Sequence, residues 1–111
     1  MPHPVRSRRA FAALSARRDR GRSGPLWVAH APLVDGDGAS DRVEVAFAIG
    51  RAVGVAVVRN RLRRRLRVLM DERVAEGLVP GHYLVGARPG AVELTFDQLR
   101  DHLGRALGRR S

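Results

Sequence analysis

The sequence predicts a single small α+β domain, and three features carry that prediction. Residues Arg42 to Gly50 alternate in character with a period of two, as a half-buried strand does. Residues Val58 to Glu76 carry leucines at helical spacing, and Thr95 to Leu107 open with a capping pattern and continue with a second apolar stripe. Strands and helices mixed within 111 residues give a small sheet packed against helices around one core.

In chain order, residues 1–7 contain two prolines and no apolar period, so they read as a loose N-terminal arm before a domain spanning 8–111. Arg8 to Arg18 is rich in alanine, arginine and leucine, with Phe11 and Leu14 at helical spacing, and predicts a short basic helix. Asp19 to Pro25 carries two glycines and a proline and reads as a connection. Leu26 to Leu33 is an apolar and aromatic run that favours a strand, closed by the Asp35-Gly36-Asp37-Gly38 turn. In the next strand Val43, Val45, Phe47 and Ile49 form one face, while Glu44, Ala46, Ala48 and Gly50 make the other small and flat. A short apolar piece, Val53 to Val58, leads into the basic helix, which ends near Gly77. Tyr83 to Arg88 predicts a further strand, then a turn at Pro89 and Gly90. In the last helix Thr95 is the N-cap, Gln98 completes the capping box, and Phe96, Leu99, Leu103 and Leu107 share a stripe.

The formal net charge of +10 implies a polyanionic partner. All 21 basic side chains are arginine, whose planar fork binds phosphate in a bidentate fashion and stacks on bases. Base composition of the genome is a second source of such a bias. The absence of cysteine excludes disulfides, thiol nucleophiles and thiolate zinc sites, and agrees with a reducing compartment. No apolar run approaches the roughly 20 residues that span a bilayer, and the first residues lack the apolar segment of a secretory signal. A cytoplasmic location is expected.

The basic helix carries the functional signal. Six of the nine positions in RNRLRRRLR, residues 59–67, are arginine. At 100° per residue Leu62, Leu66, Leu69 and Met70 fall on one side; Asn60, Arg61, Arg64 and Arg67 lie opposite, with Arg59 and Arg63 at one border and Arg65 at the other. Arginines at i and i+4 repel by a few tenths of a kcal/mol per pair. A basic first turn also opposes the helix macrodipole, whose positive end favours phosphate. A merely solvated face would intersperse glutamates, yet no acid stands between Ala52 and Met70. Nucleic-acid binding is therefore predicted. Membrane docking would call for bulky aromatics on the apolar stripe, which is plain leucine.

The stretch FAIGRAVGVAVVRNRLRRRLR, Phe47 to Arg67, resembles the signature of the bacterial ribonuclease P protein family, a serine-lysine-x-x-G run followed by A-V-x-R-N-R-x-K-R-x-x-R. The resemblance extends over nearly the whole chain through Phe11, Gly21 to Leu26, Ala87 to Gly90 and Thr95 to Leu107. It implies an α-β-β-β-α-β-α order, a four-stranded sheet and a left-handed βαβ crossover, like the second domain of a small-subunit ribosomal protein. It further implies a protein subunit that assembles with a catalytic RNA, and the RNA removes the 5′ leader of precursor transfer RNA using magnesium that it holds itself. The protein would carry no catalytic residue, no metal and no cofactor, and would partner RNA, not DNA or membrane. Arg59, Asn60, Arg61, Arg63, Arg64, Arg67 and Arg51, which stands at the family's lysine, would contact RNA. Phe11, His30, Ala46, Ala48 and Arg88 would line a cleft between the first helix and the sheet that holds the leader. Phe11 also admits a core reading, and His30 reads equally as a plain surface histidine. Gly50 departs from the family's serine, and Leu14 and Ser15 stand where many members carry a second aromatic.

Other chemistries find no support. The loop containing Asp35, Asp37 and Asp41 lacks the terminal glutamate of a calcium loop. His3, His30, His82 and His102 show no metal-ligand spacing, and GRAVG is not a nucleotide-binding loop. Two readings remain: a subunit of a ribonucleoprotein enzyme, and a structural RNA-binding protein of the ribosomal or assembly type.

Overall fold

The computed structural model describes residues 3–4, 20–31 and 42–109. The predicted helix over Arg8–Arg18, with Phe11, and the Asp35–Asp41 loop lie outside the described residues. Five strands form one mixed sheet: β1 (His3–Pro4), β2 (Gly21–Ser23), β3 (Leu26–Ala31), β4 (Val43–Ile49) and β5 (Gly81–Ala87). Helix α1 spans Ala56–Ala75 and α2 Phe96–Arg109, each preceded by a short 3-10 turn, Arg51–Val53 and Pro89–Glu93. The sheet order is β1-β4-β5-β3-β2. Four strands make the body of the sheet, as predicted, and the two-residue β1 is added parallel to the edge of β4, within the stretch read as a loose arm. An edge position suits Pro4, which has no N–H to give to a ladder.

Two further departures have local causes. Gly21–Ser23, read as a connection, pairs antiparallel with β3 through a tight turn in which Gly24 takes φ +56°; the glycine that signalled a break is the turn itself. In the apolar piece before the basic helix, Arg51–Val53 makes a 3-10 turn, and α1 then starts at Ala56, two residues ahead of the expected Val58.

β5 occupies the centre, parallel to β4 and antiparallel to β3, and all seven of its residues are buried. Helix α1 makes the crossover between the parallel neighbours β4 and β5. It ends in a Schellman motif: Leu78 N–H donates to the Arg73 carbonyl at 3.0 Å and Gly77 N–H to Val74 at 3.1 Å, with Gly77 at φ +96°. The capping box at α2 forms as the sequence predicts. Gln98 N–H donates to Thr95 Oγ1 at 3.1 Å, and Thr95 N–H to Gln98 Oε1 at 2.9 Å.

Both helices pack on one face of the sheet. Leu62, Leu66, Leu69 and Met70 of α1 and Leu99, Leu103, Ala106 and Leu107 of α2 close over Leu26, Val28, Val43, Val45, Ile49, Tyr83 and Val85. Phe47 joins this core only partly. The helices are also tied electrostatically, since Arg100 donates to Glu72 through Nε (3.0 Å) and Nη2 (3.3 Å) and to Asp97 through Nη1 (2.6 Å). That guanidinium holds the Glu72 carboxyl below its ordinary range, and Glu72 in turn raises Arg100. At the hairpin, Ser23 Oγ lies 2.8 Å from His102 Nδ1, joining β2 to α2.

Candidate nucleic-acid interface

The apolar stripe of α1 is spent entirely on the core, so the rest of the helix must face outward. Asn60, Arg61, Arg64, Arg65 and Arg67 are exposed; Arg59 and Arg63, at the border, are half-buried. Two of these side chains are oriented from within the protein. Arg59 Nε donates to the Gly54 carbonyl at 3.1 Å, and Arg63 Nη1 donates to Asn60 Oδ1 at 2.6 Å. Arg67 holds its guanidinium 5.9 Å from the centre of the Phe47 ring, within range of a cation–π contact that leaves its N–H fork free to bond outward.

The N-terminus of α1 reinforces the charge. Its N-cap, Val55, supplies no side-chain acceptor, and the first turn contains no acid. Because α1 starts at Ala56, its first turn is mostly apolar and Arg59 is the one arginine beside the unsatisfied N–H groups and the positive end of the dipole, which suit phosphate; the other arginines follow from the second turn on. Acids enter the helix only at Asp71 and Glu72, and Glu72 is engaged by Arg100. Arg51 is exposed in the 3-10 turn just past β4, and Arg88 is exposed just past β5. Because Ile49 pairs with Ala87, both arginines leave the same end of the sheet.

The sheet face turned away from α1 and α2 carries the small residues. Ala46 pairs with Leu84 and Leu84 with Ala29; one step along, Ala48 pairs with Gly86 and Gly86 with Trp27. Ala29 and Leu84 are buried, while Ala46, Ala48, Ala31 and Trp27 surround them half-buried. Trp27 was absent from the sequence-derived site. Its indole lies across Gly86, and the Arg20 guanidinium stacks 4.0 Å from its ring centre. The signal was available in principle, because Trp27 is the lone tryptophan, but only the strand order places it beside Ala48.

The same parity separates His30 from Ala46 and Ala48. It lies on the opposite face from Ala46 and Ala48, paired with Tyr83, its ring 4.5 Å from the tyrosine ring and Nε2 3.3 Å from the Pro80 carbonyl oxygen. It packs against Tyr83 and Pro80, half-buried, and does not share the small-residue face. On that face stand instead Glu44 and His82, both buried, with His82 Nδ1 3.0 Å and Arg42 Nη2 2.8 Å from the Glu44 carboxylate. Among the described residues no group of three or more histidines or carboxylates could hold a metal ion, and no helix is long and apolar enough to cross a membrane.

A mixed sheet backed by two helices, one of them presenting an acid-free arginine face, defines a small basic RNA-binding domain. The ribonuclease P family profile matches residues 2–111. The ribonuclease P protein component of Streptomyces avermitilis is 41% identical over 109 residues, covering 92% of this chain and 87% of the relative. That of Acidothermus cellulolyticus is 37% identical over 111 residues, covering 98% and 90%. Among solved structures, the RNase P protein of Thermotoga maritima superposes with a TM-score of 0.74 at 23% identity over 96% of each chain. That of Staphylococcus aureus gives 0.74 at 17% identity over 97% and 94%. The chain belongs to the ribonuclease P protein family. It is thus a protein subunit of a ribonucleoprotein enzyme of transfer-RNA processing, partnered by ribonuclease P RNA, and this decides between the two readings the sequence left open.

Proposed function

We propose that the exposed face of α1 is the dock for the catalytic RNA and that the small-residue face of the sheet receives the single-stranded 5′ leader of precursor transfer RNA. The observation that carries the first part is the arginine face itself: Arg61, Arg64 and Arg67 project from a helix anchored by its leucines, with no acid among them. Arg59, Arg63 and Asn60 are held in place by contacts within the chain, so less side-chain entropy is lost when phosphate binds.

For the leader, Ala46 and Ala48 leave a shallow floor beside Gly86. Trp27 at its margin offers a ring on which a base can stack in place of the Arg20 guanidinium, and Arg88 and Arg51 at the sheet end supply charge for the backbone. Phe11 keeps the role the family resemblance gives it. Hydrolysis belongs to the RNA, which holds the magnesium; the protein's part is to add positive charge and a leader contact where two polyanions meet. The location that goes with this role is the cytoplasm.

The test is reconstitution of the protein with bacterial ribonuclease P RNA and precursor transfer RNA at low magnesium. Cleavage should rise above that of RNA alone, and shortening the leader should diminish the gain. Cleavage no faster than with RNA alone would refute the role, and a gain indifferent to leader length would refute the leader contact.

A further inference from the structure

A groove of about 320 Å³ runs between α1 and the 3-10 turn Pro89–Glu93, lined by Val58, Arg61, Leu62, Arg65, Ala91 and Val92. Its size falls at the lower end of small-ligand sites. Its composition divides cleanly. Leu62 and Ala91 are buried and close the floor, Val58 is half-buried, and Val92 is an exposed apolar wall at 38%. Arg61 and Arg65, one helical turn apart, form the other rim. No carboxylate lines it; Glu93, next to Val92, is exposed outside the lining.

We propose that this groove takes one unstacked nucleotide of the bound RNA: the base enters against Val58, Leu62 and Val92, and Arg61 and Arg65 hold its phosphate. Charge complementarity selects this occupant. Two guanidiniums one turn apart repel unless an anion lies between them, and an apolar slot beside them fits a flat ring better than it fits continued phosphate backbone. A paired helix cannot present a base edge-on to such a slot, so the nucleotide comes from a bulge, loop or single-stranded junction, where protein recognition of RNA concentrates. The floor side chains, Leu62 and Ala91, are aliphatic and carry no hydrogen-bonding group, so they do not distinguish purines from pyrimidines. Arg65, exposed on α1 but not among the RNA contacts that the family resemblance implies, becomes a binding residue here. The inference rests on the RNA-binding reading of α1 and adds to it a base-holding subsite.

The test pairs two substitutions of equal charge change. Val92→Asp places a carboxylate against Arg61 and Arg65, whereas Val79→Asp makes the same change at another exposed apolar residue, 60% exposed, in the loop after α1. Assembly with ribonuclease P RNA should weaken about tenfold for Val92→Asp, the loss of one charge-assisted contact, and change little for Val79→Asp. In parallel, methyl NMR of the intact protein titrated with adenosine and uridine 5′-monophosphate should show saturable shifts at Val58 and Val92, larger than those caused by ribose 5-phosphate. Equal weakening by the two aspartates, or nucleotide shifts absent from Val58 and Val92 while the catalytic RNA still binds, overturns the subsite and leaves the RNA dock standing. Failure of the unaltered protein to bind the catalytic RNA overturns the dock itself.

Discussion

Trp27 and Gly86 face one another across the antiparallel pair β3–β5, and the indole lies so close over the glycine that a Cβ at position 86 would overlap Cε2, Cζ2 and Nε1 of the ring. The glycine is needed for the space above it and not for its backbone angles, since its φ is not positive. Gly86→Ala is expected to cost about 1–3 kcal/mol through forced repacking and to move the indole, which denaturant titration and the emission of the lone tryptophan will report. Unchanged stability and unchanged emission would mean that the ring does not rest there.

The same residue tests the leader path. Trp27→Ala should weaken precursor transfer RNA binding to the holoenzyme by about 1–3 kcal/mol, one stacked base, with Trp27→Phe recovering part of the loss. Mature transfer RNA, which has no leader, should bind the variants as it binds the parent. Equal losses for precursor and mature forms would assign Trp27 to folding alone.

Removing Arg61, Arg64 and Arg67 together by alanine substitution should lower the slope of log affinity against log salt by about 2–3, at roughly 0.7–0.9 per phosphate contact. These side chains are exposed and have no place in the core, so the unfolding midpoint should hold. A slope that does not move would take the helix out of the interface.

Leu66, fully buried beneath that arginine face, is the counterpart. Leu66→Ala should destabilise the domain by about 2–5 kcal/mol through the cavity it leaves, while the salt slope of the folded fraction stays unchanged. A loss below about 1 kcal/mol would mean that α1 does not dock on the sheet through this stripe.

The Glu72–Arg100 pair gives a pH signature. The folded-state pKa of Glu72 is lowered, so its contribution is present above the ordinary carboxylate pKa, about 4.3, and is lost as pH falls through the depressed folded value. Arg100 is raised and stays charged throughout this range. Glu72→Gln should therefore be the less stable protein at neutral pH, and the gap should close on acidification below pH about 4. Both side chains are about two-fifths exposed, so the effect is small and salt-sensitive. Parallel stability curves from neutral to acid pH would contradict the assignment.

Local chemistry accounts for what was legible in the linear chain. The capping box at Thr95, the glycine stop at Gly77 and the leucine stripe under Arg61 and Arg64 are each encoded within a few residues, and each formed where periodicity put it. The arginine face was legible for the same reason: a helix that buries Leu62, Leu66, Leu69 and Met70 has no choice about what it exposes.

Strand order and the pairing of distant segments were decided only in three dimensions. The period-two alternation of β3 puts His30 and Trp27 on opposite faces, but only the strand order and the packing of the helices decide that Trp27, and not His30, shares a face with Ala46 and Ala48. The groove between Arg61 and Val92 joins segments that meet only because the crossover helix packs beside the turn after β5. By itself the sequence determined a basic helix with one buried stripe and the family signature around it. The tertiary structure decided which side chains share a surface, because register and crossover packing are set by contacts between residues far apart in the chain.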